Sequence, residues 1–85
     1  MLIKHLPEHH EFVATVNGIE SHISYSIEDR TFNLLHTIVP YEISGHGIAG
    51  EITKHVIDWA KAREYKVNPV CSYTKDYLKK HPELL

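Results

Sequence analysis

The sequence predicts an α+β fold of the order β-β-β-α-β-α, in which an antiparallel meander and a fourth strand form a sheet and the helices pack on it. Apolar residues alternate with period two through the first half of the chain, and the period changes to 3.6 from Ile48 onward. The 85 residues, 42% hydrophobic and 24% charged, fit a single small globular domain over residues 1–85. Residues 1–9 are expected to be a poorly defined N-terminal segment of that domain.

A tight hairpin joins the first two predicted strands. The first strand covers His10–Val16, and Asn17-Gly18 follows it with two residues that tolerate the positive φ of a two-residue turn. The second strand starts at Ile19 and alternates apolar with polar residues, which predicts one buried face. That face holds Ile19, Ser21, Ile23, Tyr25 and Ile27.

The third predicted strand, Thr31–Val39, follows the polar turn at residues 28–30. Both of its faces carry apolar residues, so an interior position in the sheet is expected. One face is expected to hold Phe32, Leu34, His36 and Ile38. Pro40 ends the strand because it has no N–H to donate to a sheet ladder.

The second half of the chain predicts helix, strand and helix. The first helix extends from Ile48 to about Glu64, and Val67–Cys71 forms a short strand in which Pro69 indicates an edge or a bulge. Ser72 is a candidate cap for a last helix over Tyr73–Lys80. The apolar stripe of the first helix holds Ile48, Ile52, Val56, Trp59 and Ala60.

Composition excludes several functional classes. The net charge of −2, without a basic block, argues against nucleic acid as a partner. No apolar run is long enough to span a membrane, and the first ten residues lack the apolar core of a signal peptide. The single cysteine, Cys71, cannot form an internal disulfide, so a reducing, cytoplasmic location is expected. The eight histidines make the charge of the chain unusually sensitive to pH.

A glycine-rich turn precedes the first helix. Residues 45–50 read G-x-G-x-x-G, but the strand at Val67–Cys71 lacks the acidic residue of a dinucleotide fold, and no Gly-Lys-Ser/Thr follows for a P-loop. The unpaired N–H groups of a helix N-terminus bind phosphate, and glycines at 45 and 47 would let the backbone approach one. Alternatively, the glycines form a simple turn that packs the helix onto the sheet.

Strand, glycine turn, helix, strand and helix in this order resemble the GNAT superfamily of N-acetyltransferases. Its signature, Gln/Arg-x-x-Gly-x-Gly/Ala, is similar to Ser44–Ala49, with Ser44 in place of Gln or Arg. Residues 10–83 resemble more closely the small single-domain GNAT-like family of YjdJ type. The shared segments are His36-Thr37-x-Val39, Gly45-x-Gly47-Ile48-Ala49, Pro69-x-Cys71-Ser72-Tyr73, Tyr77-Leu78 and His81-Pro82-Glu83.

The resemblance implies an N-acetyltransferase that binds acetyl-CoA and transfers its acetyl group to an amine of a small molecule or a protein. Backbone groups at Ile38 and Val39 would pair with pantetheine in a gap between Leu35–Val39 and Val67–Cys71. The other implied cofactor-binding residues are Ser44, Gly45, His46, Gly47, Ile48, Ala49, Gly50 and Tyr73. No metal is implied.

The implied catalytic residues are His36, Cys71 and Tyr77. His36 would take the proton of the amine, Cys71 would accept the acetyl group or line the thiol pocket, and Tyr77 would protonate the leaving thiolate. Each residue also has a purely structural interpretation: a hydrogen-bonded core histidine, a small buried hydrophobe, and one half of a packing pair with Tyr73 at i, i+4.

Two other functions remain open at this point. A non-catalytic CoA-binding or protein-interaction module would fit Ser44 and the absence of the helices that follow the first strand in larger GNAT domains. Here the Asn17-Gly18 turn takes their place, so the acceptor site is expected to be open, or completed by another chain or by the substrate. A metal site at His5, His9 and His10 lacks a second ligand cluster of zinc-like spacing.

Overall fold

The computed structural model describes residues 1–84, which form a five-stranded sheet with both helices packed on the core side of it. Short 3₁₀ turns occupy Pro7–His9, Tyr41–Ile43 and Pro82–Leu84. The strands are β1 (Leu2–Leu6), β2 (Glu11–Val16), β3 (Ile19–Glu28), β4 (Thr31–Ile38) and β5 (Lys66–Pro69), and the helices are α1 (Ile48–Ala62) and α2 (Ser72–Lys80).

The strands lie in the sheet in the order in which they occur in the chain. The first four are antiparallel neighbours, and β5 pairs with β4 in parallel after the crossover through α1. The predicted meander, the interior position of β4 and the helix, strand and helix that follow are therefore confirmed. Pro69 is the last residue of the edge strand β5, where its missing N–H is tolerated.

The N-terminal segment requires a correction, because Leu2–Leu6 form an edge strand paired along its whole length with β2. Ile3 lies opposite Ala14, and His5 lies opposite Phe12, on the face that packs against the helices. The His5 ring stacks on the Phe12 ring, with centroids 4.1 Å apart and planes 2° from parallel. His5 thus occupies an aromatic core position, which hides the alternation of this strand from hydropathy.

A β-bulge divides β4 into two halves. Ser24 pairs with His36 and the next residue, Tyr25, pairs with Leu34, so Leu35 is an extra residue without a partner of its own on β3. Since neighbouring strand residues alternate between faces, one extra residue reverses the face of everything after it.

The reversal makes the predicted shared face of β4 wrong. Phe32 and Leu34 are buried beneath the helices, whereas His36 and Ile38 are exposed on the opposite, helix-free face. Thr37 takes the core-facing position instead, because it pairs with the buried Ile23. A prediction from alternation alone has no means of seeing the inserted residue.

The core lies between the sheet and the two helices. Its members come from β2, β3, β4, α1 and α2: Phe12, Ala14, Ile23, Tyr25, Phe32, Leu34, Ile52, Val56, Ile57, Ala60 and Leu78. The predicted apolar stripe of α1 is confirmed, except that Trp59 is only partly buried. Element ends differ slightly: β5 stops at Pro69 and α2 starts at Ser72, so Cys71, not Ser72, precedes the helix.

Candidate active site

The pairing of β4 with β5 stops halfway along β4. The parallel register ends at Leu34↔Pro69, and the backbone N–H groups of Val70 and Cys71 then both donate to the Leu34 carbonyl, at 3.0 and 2.9 Å. Residues 35–38 of β4 continue beyond this point without a β5 partner. Beyond the bulge, β4 and β5 are therefore no longer paired, which leaves a gap between the two strands.

Cys71 lies at this gap, immediately before α2. Its Sγ is 3.8 Å from Oγ1 of Thr37, which the bulge has turned toward the core side. Burial raises the pKa of the Cys71 thiol, but hydrogen bonds from the backbone of Thr74, the hydroxyl of Thr37 and the backbone of Tyr73 outweigh it, so the net pKa lies below its ordinary value. A lower pKa increases the fraction of thiolate at a given pH, and the thiolate is the nucleophilic form of cysteine.

The glycine turn forms the start of α1. Gly45 and Gly47 have φ of +82° and +74°, and a Cβ at either position would have no atom within 4 Å. The left-handed backbone, not a crowded contact, therefore requires glycine here. Gly47 precedes the helix without a side-chain cap among the described residues, so no side chain takes the N–H groups that the first turn of a helix leaves without intrahelical partners. Ser44 instead donates its hydroxyl to the Tyr41 carbonyl, at 2.9 Å.

Gly50 has a different role from the other two glycines. A Cβ there would lie 3.4 Å from Cε2 of Tyr77 and 3.8 Å from the hydroxyl of Tyr73. The two tyrosine rings stack with centroids 6.2 Å apart against the first turn of α1. Burial raises the pKa of both phenols, so both remain protonated near neutral pH. Helix α2 thus brings two proton donors beside the glycine turn.

The structure brings together part of the predicted site. Tyr73 and Tyr77 lie beside Gly50, and Cys71, the residue immediately before the helix that carries both tyrosines, lies at the gap between β4 and β5. His36 is not part of this group, because it is exposed on the helix-free face.

Other predicted residues lie around the same end of the molecule. Ile38 ends β4 and is 60% exposed, and Val39 follows it. His46 is exposed and lines a cavity of about 320 Å³ with Glu42 and Glu51.

Thr37 is the site residue that sequence reasoning missed. The Thr37 hydroxyl contacts the Cys71 thiol, yet simple alternation places Thr37 on the face away from the core. The bulge that redirects it leaves no mark in the hydropathy pattern.

The three histidines of the N-terminal region, His5, His9 and His10, are not grouped as metal ligands. Nε2 of His5 lies 2.5 Å from the Tyr25 hydroxyl, whereas His9 and His10 are exposed at the 3₁₀ turn after β1. Across residues 1–84, no group of three or more His, Cys, Asp or Glu side chains is placed to hold a metal ion. Within that same range, no helix combines the length and the apolar character needed to cross a membrane.

Comparisons with known proteins agree with this fold. A family model described as GCN5-related N-acetyl-transferase matches residues 11–85. The NMR solution structure of a GCN5-like candidate N-acetyltransferase from Staphylococcus aureus is similar over 98% of this chain and 82% of that one, with a TM-score of 0.77 and 26% sequence identity. No curated protein matches the sequence significantly.

Proposed function

This chain belongs to the GCN5-related N-acetyltransferase family, and from that premise we propose that it binds acetyl-CoA along the gap between β4 and β5 and transfers the acetyl group to an amine. The observation that carries the proposal is the start of α1, which has no side-chain cap, is preceded by two left-handed glycines and follows the part of β4 that β5 leaves unpaired. A helix start of this kind binds phosphate through its N–H groups and its dipole.

The donor would bind through the backbone more than through side chains. The amides of residues 45–50 hold the pyrophosphate, and backbone groups of Ile38 and Val39 pair with pantetheine along the part of β4 that β5 leaves unpaired. The substitution of Ser44 for the family's Gln or Arg is compatible with this arrangement, because the hydroxyl and the backbone N–H of Ser44 both donate to the Tyr41 carbonyl and the amides of the glycine turn would hold the phosphates. Tyr73 borders the turn.

Transfer requires a new C–N bond, loss of a proton from the amine and protonation of the departing CoA thiolate. Cys71 either accepts the acetyl group as a thioester and passes it to the amine, or lines the pocket of the CoA sulfur. Tyr77, protonated and beside Gly50, is the proposed acid, and Tyr73 is placed similarly. His36 is the proposed base for an amine that approaches from the helix-free face, one residue from Thr37.

The acceptor side would be open. The first strand of the structure is β1, which precedes the strand that the sequence predicts to be first. Residues 7–10 therefore form the connection after the first strand, and Asn17-Gly18 joins β2 to β3. Neither the β1–β2 connection nor the β2–β3 connection contains an α-helix that could cover an acceptor site. This supports an acceptor that is an amine of a small molecule or of a protein that completes the site itself.

Calorimetry with acetyl-CoA tests donor binding, and transfer to a panel of amines tests the chemistry. We expect binding by the wild-type protein, and loss of transfer in Cys71→Ala with donor binding retained. Trapping with labelled acetyl-CoA, followed by peptide mass analysis, shows whether the acetyl group passes through Cys71.

A matched pair of variants tests His36. His36→Ala is expected to lower transfer and flatten its pH profile, whereas His22→Ala, a partly exposed histidine on the same sheet face, leaves both unchanged. Absence of acetyl-CoA binding would refute the whole proposal. Binding without transfer to any amine would refute the enzymatic part and favour a CoA-binding module.

A further inference from the structure

A second cavity lies at the opposite end of α1 from the glycine turn. Its volume is about 420 Å³, within the range of small-molecule sites. Trp59 and Arg63 from the end of α1 and Tyr65 just after it form one side, opposite His5 and Tyr25 of the sheet. The 15 residues of α1 separate the two ends by about 22 Å, so this cavity is distinct from the proposed acetyl-CoA site.

Aromatic rings dominate the walls of this cavity. Trp59 and Tyr65 are 18° from parallel with centroids 6.2 Å apart, and the His5 and Trp59 rings are in edge-to-face contact with centroids 4.7 Å apart and planes at 72°. Ile27 and Pro7 complete the apolar part of the lining. Flat walls at such angles accept another ring in offset-stacked or edge-to-face contact.

The charged group in the lining is a cation. The Arg63 guanidinium lies 4.1 Å from the centre of the Trp59 ring and donates one N–H to the Trp59 carbonyl at 3.3 Å. The remaining N–H groups of this fork make no side-chain hydrogen bond within residues 1–84, and a fork of this kind binds a carboxylate bidentately.

No carboxylate lines the cavity in the described chain, although two lie nearby. Glu64 pairs with Arg30 at 3.9 Å, and Glu8 influences His5 from the 3₁₀ turn after β1. The other titratable groups of the lining are the imidazoles of His5 and His10 and the phenols of Tyr25 and Tyr65. Its fixed charge therefore favours an anion.

A buried polar pair forms part of the lining. Tyr25 is only 4% exposed, and its hydroxyl lies 2.5 Å from Nε2 of His5. Burial, and then the charge of Arg63, lower the pKa of His5, while burial raises that of Tyr25, so the pair is neutral near pH 7. It adds hydrogen-bonding capacity without adding charge.

We propose that this cavity is a second binding site, which takes a small single-ring aromatic carboxylate. The ring stacks among Trp59, Tyr65 and His5, and the carboxylate pairs with the guanidinium of Arg63. The proposal is independent of acetyl transfer, because none of these residues belongs to the proposed acetyl-CoA site.

The intrinsic fluorescence of the protein tests the proposal directly, since Trp59 is its single tryptophan. Benzoate, phenylacetate and 3-phenylpropionate are titrated at neutral pH, with 2-phenylethanol as an uncharged ring and cyclohexylacetate as an anion without an aromatic ring. We expect a saturable fluorescence change with at least one aromatic acid, and binding at least tenfold weaker for both comparison compounds.

Two arginine variants provide matched controls. Arg63→Gln is expected to weaken binding about tenfold or more, since a hydrogen bond between charged groups is lost. Arg30→Gln should weaken binding much less, because Arg30 reaches the Tyr65 ring at 5.9 Å and the Arg63 carbonyl at 3.4 Å but does not line the cavity. No saturable change with any of the three acids, equal binding of 2-phenylethanol, or equal effects of the two substitutions would each overturn the proposal.

A second measurement distinguishes binding in this cavity from binding at the glycine turn. Amide NMR shifts on addition of the aromatic acid should appear at Trp59, Tyr65 and His5 and leave Gly45 and Gly47 unmoved. Shifts confined to the glycine turn would overturn the assignment of this cavity, whereas failure of acetyl-CoA to bind would leave it intact.

Discussion

At the scale of single residues, the contact between Cys71 and Thr37 depends on one extra amino acid in β4. If β4 alternated regularly, with Leu35 paired like its neighbours, Thr37 would lie on the helix-free face and His36 on the core side. The bulge thus decides which hydroxyl reaches the thiol, and it does so at the point where β4 loses its β5 partner.

The Thr37 hydroxyl is one of the groups that lower the pKa of Cys71, so its removal should raise that pKa. We expect Thr37→Val, which keeps the shape of the side chain, to shift the pH dependence of iodoacetamide alkylation toward higher pH. Thr31→Val, the same change at the other end of β4, is the control and should leave the profile in place. An unchanged profile in both variants would show that the thiol does not depend on this contact.

His5 makes the stability of the fold dependent on pH. Burial lowers the pKa of His5 in the folded state, so the unfolded chain binds the proton more readily. The contribution of His5 to stability is complete above its unfolded value of about 6.5 and declines as the pH falls toward the folded value.

Urea unfolding at pH 7.5 and at pH 5 measures this contribution. The wild-type free energy of unfolding should fall between the two, and His5→Gln, which retains a hydrogen-bonding group for Tyr25, should reduce the fall. His9→Gln, at an exposed histidine, is the control. Equal pH dependence in the wild type and His5→Gln would contradict the assignment.

At the scale of secondary-structure elements, substitutions of Gly47 test how much the backbone conformation of the turn before α1 contributes to stability. Gly47 has φ +74°, and an L-residue pays about 1–2 kcal/mol to adopt such a conformation. We expect Gly47→Ala to lower the free energy of unfolding by about that amount. Gly47→Asn should lower it less, since asparagine tolerates left-handed φ. Because no atom lies within 4 Å of the added Cβ, equal losses in both variants would point to a cause other than backbone strain.

The elements differ in how well their sequence predicts them. The hairpin at Asn17-Gly18 and helix α1 follow from local patterns, and both are present as predicted, with α1 two residues shorter. Strand β1 and the bulge in β4 depend on pairing with residues far along the chain, so local alternation does not reveal them. The glycine turn is a recognisable motif in the sequence, whereas the core-side position of Thr37 follows only from the register of β3 and β4.

At the scale of the whole molecule, the two ends of α1 have different chemistry. The N-terminal end faces the glycines, the tyrosines of α2 and the strand gap, whereas the C-terminal end closes an aromatic cavity with β1 and β3. Both ends depend on the same sheet, and β1 contributes to the core through Ile3 and His5. In a domain of this size, the burial added by one edge strand is a large share of a small net stability.

A variant that lacks residues 1–6 tests this dependence on β1. It loses the partly buried Ile3, the ring that stacks on Phe12, and the partner of the Tyr25 hydroxyl, which together should lower the free energy of unfolding by about 2–4 kcal/mol. For a domain of this length, the melting temperature should fall by roughly 10 °C or more. Leu2→Ala, at a side chain that is 60% exposed, should change it little. An unchanged melting temperature in the truncated protein would mean that β1 pairs with the sheet without stabilising it.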